Sequence, residues 1–176
     1  SKKLSEICPG DLNKAFFTLC GTSSIDNAIK LARLYTGRHK IIGRYRAFHG
    51  GSIGGMSVGG DPRILANDSQ QMPNAIHLDD PYYFFNLKNL DHDTCLSLSL
   101  DYVERIIHFE GKENIAAMIF EGESGSSGCL HYPEGYLKGV KKLCEKYGIL
   151  FIADEVMSGF GRTGKWFGFE HHDIIP

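Results

Sequence analysis

Gly148-Ile149-Leu150-Phe151-Ile152-Ala153-Asp154-Glu155-Val156 reads as a helix stop, a strand and an acidic strand end. The five apolar residues from Ile149 to Ala153 suit a strand buried on both faces of a parallel sheet. A carboxylate at the carboxyl end of such a strand needs a cation or strong donors, because an unpaired buried charge is costly. Asp154 therefore points to a positively charged ligand group. The plain alternative is that it caps the next turn or pairs with a structural arginine.

The residues before this strand repeat its pattern. Ile115-Ala116-Ala117-Met118-Ile119-Phe120 is another apolar run, and it also ends in an acid, Glu121. Between the two runs, Gly122 to Gly128 form a loop of small residues. Pro133 then opens a helix with Tyr136, Leu137, Val140, Leu143 and Cys144 on one face and Gly148 as its stop. A helical stripe through Leu100, Val103, Ile106 and Ile107 spans Leu98 to Phe109.

Nearer the start, Leu4 and Ile7 read as the tail of a helix broken by Pro9-Gly10, and Ala15 to Cys20 as a buried strand. The turn Gly21-Thr22-Ser23-Ser24 leads into a helix through Ile25, Ala28, Ile29 and Ala32, stopped by Gly37. Such a strand-turn-helix junction presents free backbone amides and hydroxyls, a good phosphate cradle, although Ser and Thr are also ordinary helix caps. It is not a Walker sequence, since no lysine stands in the required place. Lys40 to Tyr45 is a short strand leading to Phe48-His49-Gly50, where Phe48 either faces a planar ligand or plugs the core. Asp61 to Asp93 reads as a long irregular loop, of a length that often packs over a site.

Alternation of strands and helices, with polar turns after the strands, predicts an α/β fold with a mostly parallel sheet and its site along the strands' carboxyl ends. At 176 residues, 42% hydrophobic and 23% charged, the chain is long enough for one sizeable core. A net charge of −2 without long runs of either sign gives no reason to expect a nucleic-acid or membrane partner. No apolar run has the length of a membrane span, so the chain reads as intracellular. Its 5 scattered cysteines lack the close pairs of a zinc site or disulfide framework, and no metal site is expected.

A cradle at Gly21 and Thr22, an aromatic at Phe48 and an acid at Asp154 together suit a phosphorylated pyridine. Its ring nitrogen withdraws electrons strongly only when protonated, and a buried carboxylate keeps it so. Here the sequence resembles the class III (ω-amino acid) aminotransferases of pyridoxal-phosphate fold type I. The likeness runs through Gly10-Asp11-Leu12-Asn13-Lys14, Phe16-Phe17-Thr18, Ala28 to Arg33, Phe48-His49-Gly50, Pro133-Glu134-Gly135-Tyr136-Leu137, Ile152 to Val156 and Gly159-Phe160-Gly161-Arg162-Thr163-Gly164.

The resemblance implies a three-layer large domain and pyridoxal 5'-phosphate as cofactor. Gly21 and Thr22 would hold the phosphate, Phe48 and Val156 would flank the ring, and Asp154 would pair with the ring nitrogen. Glu121 would support the ring and the aspartate from behind, and Met157 stands where many members carry Gln near the ring hydroxyl. Ser23, Ser24 and Ile25 replace the usual acid, Ala and Asn, Gly122 replaces a common Pro, and Ser126 replaces a gating acid of some members. The family's Schiff-base lysine falls downstream of these motifs, and Lys165 belongs to a different one.

Residues 1–176 are accordingly expected to be the central part of the large domain, without the N-terminal segment, the lysine region or the C-terminal small domain, and inactive by themselves. The activity implied for the parent protein is transfer of an amino group from an ω-amino acid or amine to a 2-oxo acid such as pyruvate, by a homodimer. A cytoplasmic location is expected, with the mitochondrion as the alternative. Rival readings are an aminomutase or decarboxylase of the same fold, and a non-catalytic truncated relative.

Overall fold

The computed structural model describes residues 1–63, 71–86 and 89–176. Helix α1 (Lys2–Ile7) is followed by α2 (Gly21–Thr36), β1 (Lys40–Tyr45), α3 (Ile53–Val58), β2 (Gly59–Gly60) and β3 (Ala75–Leu78). Then come α4 (Tyr82–Phe85), α5 (His92–Glu110), β4 (Ile115–Glu121), α6 (Tyr136–Tyr147) and β5 (Leu150–Asp154). Every strand pairing is parallel, in the order β2-β1-β4-β5, with β3 also on β1.

Alternation along the strands divides the core between the two faces of this sheet. Ile42, Met118 and Phe120 point to one side, where they pack with Val103 and Ile107 of α5 and with Tyr136, Leu137 and Val140 of α6. Ile41, Ala117 and Ile119 point to the other side, against Ile25, Ile29 and Ala32 of α2 and Val58 of α3. The result is three layers, helices over both faces of a parallel sheet, as expected from the sequence. Each fully buried Ile, Val or Leu side chain contributes about 1.5–3 kcal/mol, so this division supplies much of what holds the layers together.

Helix ends follow local chemistry. Gly37 and Gly148 close α2 and α6 in the left-handed conformation that spares glycine a steric cost. Asp91 caps α5 by accepting from the Thr94 amide at 2.9 Å.

Several expectations need correction. Ala15 to Cys20 is not a strand. It has no regular structure and no strand partner among the described residues, leaving Phe16 70% and Leu19 99% exposed. An apolar run becomes a buried strand only where another strand lies beside it, and none does among the described residues. β5 was expected to be buried on both faces, but Leu150 to Ala153 are only half-buried because, among the described residues, β5 has a strand neighbour on one side alone; β4 is the fully buried one.

Helix α6 begins at Tyr136, three residues after Pro133, because Gly135 takes a left-handed turn there. Helix α5 begins at His92 rather than Leu98, since its cap, not its apolar stripe, sets its start. The long irregular stretch from Asp61 to Asp93 contains β3 and α4, and part of it lies outside the described residues.

Candidate active site

A cavity of about 400 Å³ opens between the carboxyl ends of β1, β4 and β5 and the first turn of α2. All seven residues selected from the sequence (Gly21, Thr22, Phe48, Glu121, Asp154, Val156 and Met157) line it. The volume lies in the range of small-molecule sites, and the position follows from the topology, since parallel strands release their following turns on one side of the sheet.

Asp154 and Glu121 are register partners at the ends of β5 and β4. Asp154 caps the turn, as its plain alternative had it, and its other partner is a histidine rather than an arginine. Its Oδ1 accepts from the Val156 amide at 3.0 Å, which caps the turn, and its Oδ2 lies 2.7 Å from His49 Nδ1. His49 is 2% exposed, and its Nε2 is buried without a hydrogen-bond partner among the described residues. His49 is not among the residues the sequence placed at the site. What marked it was its place beside Phe48 in Phe48-His49-Gly50, but only the fold brings it to an acid 105 residues away.

Glu121 is 8% exposed. Its Oε2 accepts from Arg44 Nη2 at 3.0 Å and its Oε1 from the Phe48 amide at 3.3 Å. Burial pushes its carboxyl above the usual carboxylate range, while Arg44 and His49 pull the other way. Glu155, the second acid of the Asp-Glu pair, has a structural role: it accepts from the Ser158 hydroxyl and from the Gly168 and Phe169 amides, pinning the loop after β5.

The cradle is narrower than the sequence suggested. Thr22 lines the cavity, and its Oγ1 accepts from the Gly51 amide at 3.4 Å. Ser24 instead bonds to Thr18 and the Cys20 carbonyl, and Ser23 Oγ meets the Cys20 thiol at 3.6 Å, so neither hydroxyl faces the cavity. The first-turn amides of α2 remain available to an anion, as at any helix start. Close packing shapes the walls. A Cβ on Gly21 would lie 2.7 Å from Val156, and one on Gly50, whose φ is +113°, would lie 2.6 Å from Thr22 Oγ1. No lysine lines the cavity among the described residues.

Acids, an aromatic and a helix start converging beyond the strand ends of a three-layer parallel α/β protein form a site of the kind that takes a small molecule. Residues 1–176 match the family described as aminotransferase class-III, and the chain belongs to that family. It is similar to the putrescine–pyruvate aminotransferase of Pseudomonas aeruginosa, with 31% identity over 182 residues, covering 100% of this chain and 40% of the relative. Among solved structures it resembles a taurine:2-oxoglutarate aminotransferase from Bifidobacterium kashiwanohense in complex with PLP and glutamate, at 41% identity and a TM-score of 0.85, covering 92% of this chain and 37% of that one. An (S)-enantioselective ω-transaminase from Thermomicrobium roseum superposes with a TM-score of 0.93 at 37% identity, covering 99% of this chain and 40% of that one. The chain thus spans about two-fifths of the length of these relatives.

Proposed function

We propose that the cavity is a pyridoxal-phosphate site and that the protein carrying this chain is a transaminase, moving an amino group from an ω-amino acid or amine to a 2-oxo acid such as pyruvate. The observation that carries this reading is the convergence of the Gly21-Thr22 turn, Phe48, Glu121, Asp154 and Val156 on one cavity. The residues fit the group: the helix start suits a phosphate, the cavity suits a ring, and Asp154 retains acceptor capacity beyond its two present bonds.

When bound, the cofactor supplies a protonated ring that draws electrons away from the substrate carbon. The chain's part is to hold that ring and its charge. The α2 start would anchor the phosphate end, Phe48 and Val156 would flank the ring, and Asp154 would keep the ring nitrogen protonated. His49 orients Asp154 by binding its second oxygen. In this reading residues 1–176 are the central part of the large domain, the Schiff-base lysine comes from outside the cavity-lining residues described, and the working protein is a homodimer. Two relatives' names, with pyruvate and 2-oxoglutarate, support a 2-oxo acid as acceptor.

The test is absorption titration of the purified protein with pyridoxal phosphate, alongside Asp154→Asn, followed by an assay of amine donors with and without added 2-oxo acid. Saturable binding weakened by the substitution, with turnover dependent on the 2-oxo acid, is the expected result. Turnover without the 2-oxo acid would instead favour a mutase or decarboxylase.

A further inference from the structure

Arg44 lies 1% exposed on β1, outside the cavity lining, and every arm of its guanidinium is engaged. Nε donates to the Tyr132 hydroxyl at 3.1 Å and Nη1 to the Tyr45 carbonyl at 3.0 Å, with Asp80 Oδ2 3.6 Å away. Nη2 donates to Glu121 at 3.0 Å and also to the Ser124 hydroxyl. The guanidinium carbon stands 5.2 Å from the centre of the Tyr132 ring.

Packing alone does not account for this residue. It sits against Tyr132, whose ring packs with Phe120 and Tyr136, and an apolar side chain of similar volume there would avoid the desolvation cost of a buried ion pair. What a guanidinium adds is a planar fork that fixes several partners at set angles, which a lysine cannot reproduce. Those partners lie on separate segments. Glu121 ends β4, Ser124 and Tyr132 belong to the loop between β4 and α6, and Asp80 follows β3. Through its other oxygen, Glu121 carries the restraint on to the Phe48 amide. The loop held by Ser124 and Tyr132 also carries Ser126 into the cavity wall.

We infer that Arg44 is a positioning residue of the site: without touching a ligand, it sets where Phe48, Glu121 and the Ser126 loop stand against the cavity. The inference rests on the reading of that cavity as the pyridoxal-phosphate site. It adds a determinant of cofactor affinity one layer behind the residues that would contact the ring.

The experiment compares the full-length purified protein with two variants. Arg44→Lys keeps the charge and removes the fork; the double variant Ser124→Ala/Tyr132→Phe removes two of Arg44's partners and leaves every cavity-lining side chain in place. Pyridoxal phosphate affinity and the pH midpoint of the bound cofactor's absorption are measured, with thermal unfolding of the ligand-free forms as a separate readout. Binding weaker by about tenfold for Arg44→Lys is expected, the scale of one charged hydrogen bond. The double variant should show a smaller loss in the same direction, and both should displace the absorption midpoint.

Folded variants with the parent's affinity and midpoint, changed only in unfolding temperature, would make Arg44 a structural residue and overturn the inference. If Arg44→Lys does not fold, the double variant decides alone. Failure of the parent protein to bind the cofactor is a different result, and it overturns the reading of the cavity itself.

Discussion

Glu121 and Asp154 stand side by side as register partners on β4 and β5, and each buried acid has its own basic partner: Arg44 for Glu121 and His49 for Asp154. Two adjacent carboxylates would repel and one would hold its proton if both were left alone. Separate partners give them separate tasks. Glu121 is tied into the scaffold, and Asp154, held by His49 and the Val156 amide, lines the cavity.

Removing that imidazole should be felt in stability before any cofactor is added. His49→Ala leaves Asp154 Oδ2 buried without its 2.7 Å partner, and a loss of about 2 kcal/mol is expected in urea unfolding of the ligand-free protein. His49→Gln, which can still donate, should recover part of it. Equal stability of all three proteins would show that the contact contributes nothing to the fold.

Gly50 is the position where added volume reaches the cradle most directly. Its φ of +113° is one that side chains rarely adopt, and a Cβ there would press on Thr22. Gly50→Ala should cost about 1–3 kcal/mol from backbone strain and weaken pyridoxal phosphate binding as well. An intact affinity, measured by absorption titration, would separate Thr22 from phosphate binding.

The cysteines should differ sharply toward iodoacetamide. Cys20 is exposed at the cap of α2, and the Ser23 amide and hydroxyl draw its thiol below the usual value. Cys144 is buried, and burial pushes its thiol up to about 12. Peptide mass mapping after brief treatment at neutral pH should find Cys20 modified and Cys144 untouched. Because Cys20 lines the cavity, pyridoxal phosphate should slow its labelling and leave that of exposed Cys129 unchanged.

His172 provides a pH test of the scaffold. Burial holds its imidazole below the ordinary value, so the folded state prefers the neutral ring. Its contribution to stability is full above the unfolded value, about 6.5, and is lost as the pH falls through the lower folded value. Unfolding curves taken from neutral pH downward should show a loss that His172→Gln reduces. A variant that follows the parent at every pH would assign the acid sensitivity to other groups.

The second prominent cavity, about 490 Å³, lies on the far side of Met157 and is lined by His131, Arg162 and His172. Arg162 makes no hydrogen bond or ion pair among the described residues and borders this second cavity. No helix among the described residues is long and apolar enough to cross a membrane.

The sequence by itself determined which runs become β1, β4 and β5, which glycines stop α2 and α6, and which side chains lie at the strand ends. These features depend on neighbours a few residues apart: apolar runs, turn glycines and caps act locally. It also marked Phe48, Glu121 and Asp154, which follow or close β1, β4 and β5 and so emerge at one end of a parallel sheet, and Gly21 and Thr22, which open α2. Only the tertiary structure decided what those residues bind to. His49 reaches Asp154 across 105 positions and Arg44 reaches Glu121 across 77, and no local pattern encodes which strands lie side by side. The same limit explains the misread segment Ala15 to Cys20. Its composition favours a strand, but a strand exists only in the presence of a partner, and pairing is a property of the assembled sheet.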